Sequence, residues 1–210
     1  MKKLILFSLL IVSIILTSCA SAIPDSDNAY PTVSFSFLPA NSNSGGEENI
    51  IIGHDGKVSL NGTTQTFNFD SDVVYLKKNN EYGTLFVVKD DRNPAGDKGS
   101  IKSASLTMPD NSIINISNVT DIVSGNWSEG GLSTMPNTRT FRFTGDPNNV
   151  RDGAAISPNL TPLLESADGS GIDNFEFKLT AEDHHSNSLT KVLVVRITNA
   201  ESHIGFGDLD

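Results

Sequence analysis

Hydrophobic residues follow two different patterns along this chain, and the change falls near residue 19. Residues 4–16 are apolar except for Ser8 and Ser13. Beyond residue 31, apolar and polar positions alternate with a period of two. Val33-Ser34-Phe35-Ser36-Phe37 alternates strictly, Phe67 and Phe69 flank Asn68, Phe141 and Phe143 flank Arg142, and residues 175–181 alternate throughout. Successive side chains of a strand point to opposite faces, so each segment predicts a β-strand with its aromatics turned toward a core.

Turn chemistry predicts how these strands connect. Asp55-Gly56 separates Ile50-Ile51-Ile52 from Val58-Ser59-Leu60, and Asn61-Gly62 separates that strand from residues 64–69. Both pairs tolerate the positive φ of a type I′ hairpin turn. Lys77-Lys78-Asn79-Asn80 is expected to join residues 73–76 to 82–88 as a further hairpin. Pro109-Asp110-Asn111 joins 101–108 to 113–119, and residues 183–187 join 175–182 to 189–198. The pattern predicts about ten strands, nearly all in local hairpins, and one short helix near residues 160–167 with Pro162 in its first turn.

Composition agrees with strands and turns. The 210 residues include 20 Asn, 17 Asp, 25 Ser and 17 Gly, against 11 Ala, 8 Glu and one Gln, so turn formers are abundant and strong helix formers scarce. The expected fold class is an all-β antiparallel sandwich, immunoglobulin-like in its second half. Its expected division is a β-unit with linker over 32–99, an Ig-like sandwich over 100–199 and a tail over 200–210. One continuous sandwich is the alternative, because 32–99 is thin for an independent core.

Charge narrows the partners. Fifteen Lys and Arg against 25 Asp and Glu give a formal charge of -10, a surface that repels nucleic-acid backbones. The single Cys excludes a disulfide framework and cysteine-based metal centres.

That cysteine sits where the first pattern ends. Lys2 and Lys3 precede the apolar run, which suits a signal-peptide core and is too short to span a bilayer as a helix. The run closes on Leu16-Thr17-Ser18-Cys19, which resembles the lipobox of bacterial lipoproteins. The resemblance implies cleavage of residues 1–18, lipidation of Cys19 (thioether-linked lipid plus an amide-linked chain such as palmitate) and attachment to the membrane of the cell envelope. Ala20 follows the cysteine where an aspartate would signal inner-membrane retention in many such proteins, which points to the outer membrane. Loss of Lys2 and Lys3 takes the charge from -10 to -12. Residues 19–31 then read as the lipidated cysteine and a flexible tether.

The final hairpin carries a second resemblance. Leu179-Thr180-Ala181-Glu182-Asp183, a polar loop and Val192-Leu193-Val194-Val195-Arg196-Ile197-Thr198 resemble the end of cadherin-like and related bacterial Ig-like repeats. The resemblance implies a calcium-binding role for Asp183. Calcium takes several oxygen ligands from irregular loops, so Asp146, Asp152, Asp168 and Asp173 are further candidates for a metal site, with calcium the candidate cofactor. Asp90, Asp91 and Asp97 form a second cluster. The competing account is that Asp and Asn shape turns and keep the surface soluble. Trp127, the sole tryptophan, lies among Gly, Asn and Ser and is a candidate ligand-binding residue for a sugar ring.

His54, His184, His185 and His203 fall at expected turns or in the tail. The chain holds no H-E-x-x-H, G-x-S-x-G, P-loop or dinucleotide fingerprint. The resulting expectation is a membrane-anchored envelope lipoprotein whose non-catalytic β-sandwich serves as a structural or binding and adhesion module. Its expected partners are the membrane, through the lipid, and an envelope protein or glycan, with no nucleic acid. The alternative is a glycan-acting extracytoplasmic hydrolase or its accessory carbohydrate-binding domain.

Overall fold

Two sheets face each other in the computed structural model, which describes residues 30–40, 49–60, 63–90, 101–115, 122–124, 139–144, 152–183 and 186–209. The first sheet holds β1 (Thr32–Pro39), β2 (Ile50–Ile52), β3 (Lys57–Leu60), β4 (Thr63–Thr66), β6 (Tyr82–Asp90), β9 (Ile122–Ser124), β10 (Arg139–Thr144) and β11 (Asp152–Ser157). Their order is β4-β3-β2-β1-β6-β11-β10-β9. The second holds β5 (Val73–Lys77), β7 (Ile101–Thr107), β8 (Ile113–Asn115), β12 (Phe175–Asp183), β13 (Ser188–Thr198) and β14 (His203–Gly205), in the order β14-β5-β13-β12-β7-β8. Sheet pairing is antiparallel except for β9 with β10 and β5 with β13. The all-β sandwich expected from the alternation is the fold observed.

The alternating aromatics explain how the sheets meet. Phe35 and Phe37 of β1 project inward beside Phe86 of β6, with ring centroids 5.0 and 5.6 Å apart. Phe86 crosses to Phe177 of β12 at 5.6 Å, edge to face, the arrangement that ring quadrupoles favour. Val74, Leu76, Leu106, Leu179, Leu193, Val195 and Ile197 complete the opposite wall, all buried.

The two sheets run across the expected division at residue 100. Each sheet takes strands from both sides of that position, and one apolar cluster joins Phe35 to Phe177 and Val74 to Val195. Residues 100–199 do not include β1 and β6, the centre of the first sheet. Within the expected tail, β14 pairs with β5.

The expected 73–88 hairpin is corrected. β5 and β6 belong to different sheets, so the turn between them arches across the sandwich. Asn79 takes φ 63° there, and the Lys78 N–H donates to the Thr198 carbonyl at 2.7 Å, tying the arch to β13. The Asp55-Gly56 turn is a hairpin, but only Gly56 has positive φ (76°), so it is not type I′. Gly53 N–H bonds to the Lys57 carbonyl and Gly56 N–H to that of Gly53, the pattern of a three-residue loop with a left-handed last position. Asn111 (φ 64°) repeats this build between β7 and β8. The short helix α1 (Thr161–Ser166) forms where expected, with Pro162 in its first turn and Leu164 buried.

Strand registers define two ends. Thr32, Asp90, Asp152 and Asp183 lie at one, since Thr32 pairs with Lys89, Asp152 with Asp90, and Asp183 with Ile101 at the start of β7. Pro39, Tyr82, Ser157, α1, Phe175 and Thr198 lie at the other. The chain enters the sandwich at the Thr32 end.

Candidate functional site

Of the residues marked by sequence, Cys19, Trp127 and Asp146 lie outside the described residues, as do Asp91, Asp97, His184 and His185. Asp152 opens β11 opposite Asp90. The remaining three acids separate into two places.

Asp183 closes β12 at the Thr32 end. It is fully buried, and both carboxylate oxygens are taken. Oδ1 accepts the Asn187 N–H at 2.8 Å and Oδ2 the Asn187 side-chain amide at 2.7 Å. The Asp183 N–H in turn donates to the Asn187 carbonyl at 3.1 Å, so this aspartate fastens the hairpin of β12 and β13. A register shift between Glu182 and Asp183 re-aims the side chain at that point.

Asp168 and Asp173 lie at the Thr198 end, in the irregular stretch between α1 and β12. Eight residue steps of β12 separate Phe175 from Asp183, about 26 Å of extended strand. Ligands of one calcium ion lie 2.3–2.6 Å from it, on the order of a tenth of that span, so Asp183 cannot share an ion with Asp168 or Asp173. Asp168 Oδ1 accepts the Ser170 N–H at 2.7 Å, a local Asx turn. Its backbone and hydroxyl bonds from Ser170, with Lys78 nearby, hold its carboxyl below the ordinary aspartate value. Among the described residues, no three His, Cys, Asp or Glu side chains gather as metal ligands would.

This stretch is laid across the end of β13 by backbone bonds. Gly171 N–H donates to the Ile197 carbonyl at 2.9 Å, Asn199 N–H to that of Gly169 at 3.0 Å, and Ser170 bridges Thr198. Gly169 has φ +81°, and a Cβ there would fall 2.6 Å from the Asn199 amide oxygen, so glycine is required twice over. The arch leaves Ile172 on the surface with 74% of its area exposed.

Beside it the outer face of the second sheet carries a polar aromatic ladder that sequence reading missed. His203, Tyr75 and Arg196 stand in register on β14, β5 and β13. The His203 and Tyr75 rings stack at 4.5 Å, 4° from parallel. Arg196 donates from Nη1 to the Tyr75 hydroxyl at 3.0 Å and from Nε to Asn174 Oδ1 at 2.7 Å. Gly205 sits so close that a Cβ would meet Tyr75 Cε2 at 2.6 Å. The ladder presents a π face, an imidazole edge and a guanidinium together, suited to contact with a planar or hydroxylated partner. No local motif marks it, because its members come from three strands up to 128 residues apart in sequence (Tyr75 to His203).

Asp72 was missed too. It is 4% exposed, and its carboxylate gathers the Asn68 N–H at 2.7 Å, the Gly207 N–H at 2.8 Å and the Ser71 hydroxyl at 2.9 Å. Leu209 N–H bonds to the Ser71 carbonyl at 2.9 Å. Together these pin the C-terminal segment over the loop before β5, so the acid is structural. Compared with known proteins, the chain matches no family model and no curated protein.

Proposed function

We propose that the protein is a lipid-anchored component of the bacterial cell envelope, held at the outer membrane through Cys19, whose β-sandwich is a non-catalytic structural or binding module. One observation carries the reading: the only cysteine of the chain stands directly after a charged start and a short apolar run, within Leu16-Thr17-Ser18-Cys19. The fold adds a direction. The chain enters the sandwich at the Thr32 end, twelve residues after Ala20. With Cys19 in the bilayer, the Thr198 end is the end of the sandwich opposite the one the chain enters. The exposed Ile172, the arch of residues 168–174 and the His203–Tyr75–Arg196 ladder are then the surfaces available to an envelope protein or glycan.

The test is detergent-phase partitioning of the full chain beside Cys19→Ala, with metabolic labelling by a radioactive fatty acid. Wild type is expected in the detergent phase and labelled, and the variant in neither state. Equal partitioning and labelling of the two would end the lipoprotein reading.

A further inference from the structure

The His203–Tyr75–Arg196 ladder extends by one more position. Phe175 pairs with Val195, so Asn174 stands opposite Arg196, and the bond from Arg196 Nε to Asn174 Oδ1 makes it a member of the row. The row thus crosses β14, β5, β13 and the approach to β12, about 14 Å at the usual strand spacing. It lies on the outer face of the second sheet, because the neighbouring Ile204, Val74, Leu76, Val195 and Ile197 belong to the core. Gly171 and Gly205 border the Tyr75 ring. A Cβ on the first would stand 3.4 Å from Cε1, and on the second 2.6 Å from Cε2. Glycine at both edges keeps the row open as a shallow trough.

Much of the hydrogen-bonding capacity in this trough is unspent. Of the five N–H donors of a guanidinium, Arg196 commits one to Tyr75 and one to Asn174 among the described residues, so three remain. The Tyr75 hydroxyl accepts from Arg196 and keeps its own proton for a further acceptor. Asn174 uses its amide oxygen on Arg196 and keeps its NH₂ group. His203 Nδ1 lies 2.8 Å from the Glu201 carbonyl. A carbonyl only accepts, so the proton sits on Nδ1, and Nε2 of the neutral ring is an acceptor. Two exposed acids flank the row. Glu176 is two residues beyond Asn174 on the same face, and the Asp208 carboxylate stands over Gly205. Among the described residues Arg196 forms no ion pair with either.

We infer that this trough binds a neutral, hydroxyl-rich glycan, an inference that rests on the binding-module reading above. Donors stand at the centre and acceptors on the flanks. A sugar hydroxyl donates and accepts at once, so successive hydroxyls along a chain of sugars satisfy both sets. A carboxylate or phosphate only accepts, and it would meet Glu176, Asp208 and a chain of formal charge -10. An apolar protein surface would leave the remaining Arg196 N–H groups unpaired. Ile172 and Phe206, 74% and 44% exposed, follow Gly171 and Gly205 and offer apolar area to the C–H face of a sugar ring.

The test is isothermal titration calorimetry of the full chain in detergent. The probes are hexaoses of glucose, mannose, galactose and N-acetylglucosamine, with hexagalacturonate as the anionic counterpart. Binding of at least one neutral hexaose is expected, weakened about tenfold by Arg196→Gln and by Tyr75→Phe, which keeps the ring and removes the hydroxyl. Asn174→Ala, at an exposed position, reads the same contact if the Arg196 variant fails to fold. Absence of neutral binding at millimolar sugar, binding of hexagalacturonate alone, or variants that bind as tightly as wild type would each overturn the inference. Fatty-acid labelling at Cys19 is read separately. A labelled chain that binds no hexaose refutes the glycan and leaves the anchor standing, and an unlabelled chain that binds one does the reverse.

Discussion

Replacing Asp72 with Asn tests whether the C-terminal segment is held by a charge. The carboxylate accepts bonds on both oxygens, from Asn68 at one and from Gly207 and Ser71 at the other. An amide of the same shape keeps one acceptor and turns an NH₂ group toward at least one N–H donor. A buried donor left unpaired costs about 1–3 kcal/mol, and loss of the charge weakens the bonds that remain. At roughly 2–4 °C per kcal/mol for a chain of this length, the melting temperature at neutral pH should fall by about 2–12 °C. The pH dependence separates charge from shape. Burial alone would raise the Asp72 pKa, but the bonds from Asn68, Gly207 and Ser71 outweigh it and hold it below the ordinary value of 3.8. A group whose pKa is lower folded than unfolded adds stability above its unfolded value, near pH 4, and loses it as the pH falls through the folded value. Asn has no such titration, so the gap between wild type and Asp72→Asn should close in acid. Urea melts across that range, with amide exchange at Gly207 and Leu209, are the assay. A neutral-pH midpoint identical to wild type, or a gap that stays constant in acid, would refute the reasoning.

Gly169→Ala should cost about 1–3 kcal/mol, since it combines a left-handed φ with a Cβ driven against Asn199. Gly207→Ala, at φ +75° with nothing within 4 Å of its Cβ, should cost about 1 kcal/mol, and thermal melts that rank the two the other way would discount the Asn199 contact. Calcium should raise the melting temperature no more than magnesium at matched ionic strength, because Asn187 takes both oxygens of Asp183, Ser170 takes one of Asp168, and the two acids lie at opposite ends. A calcium-specific rise that Asp168→Asn abolishes would reverse that conclusion.

The sandwich was legible because alternation is a local property of the chain. Residues 33–37 and 175–181 each disclose a face without reference to any neighbour, and Phe35 and Phe177 do enter one core. Pairing is not local in the same way. The stretch 77–80 has the residues of a hairpin turn, yet the bond from Lys78 to Thr198 directs it across the sandwich, and Thr198 lies 120 positions downstream. Composition near residue 100 marks a connection without saying which layers it joins, and β6 and β7 on its two sides belong to different sheets. Phe141 and Phe143 fall in β10 as the alternation predicts, in register with Ala155 and Gly153.

The acids show a different limit, rooted in the chemistry of the carboxylate. An aspartate in an irregular loop offers the same lone pairs to a metal ion, to the N–H two residues on, or to a distant backbone segment. Sequence shows that the lone pairs exist and not who takes them. Asp168 spends one oxygen on Ser170, as turn propensity would have it, within its own tripeptide. Asp183 spends both on Asn187, which the spacing of a three-residue loop puts opposite it across the hairpin. Asp72 spends its pair partly on Gly207, 135 residues away, and no local pattern encodes that contact. Resemblance to calcium-binding repeats picked out Asp183 because an acid at the close of a strand is common to both. The physical difference lies in the residue four positions later. An Asn there satisfies the carboxylate within the hairpin, whereas an ion site must leave it aimed outward with oxygens free. Asp183→Ala should therefore loosen the β12–β13 hairpin rather than alter any response to metal.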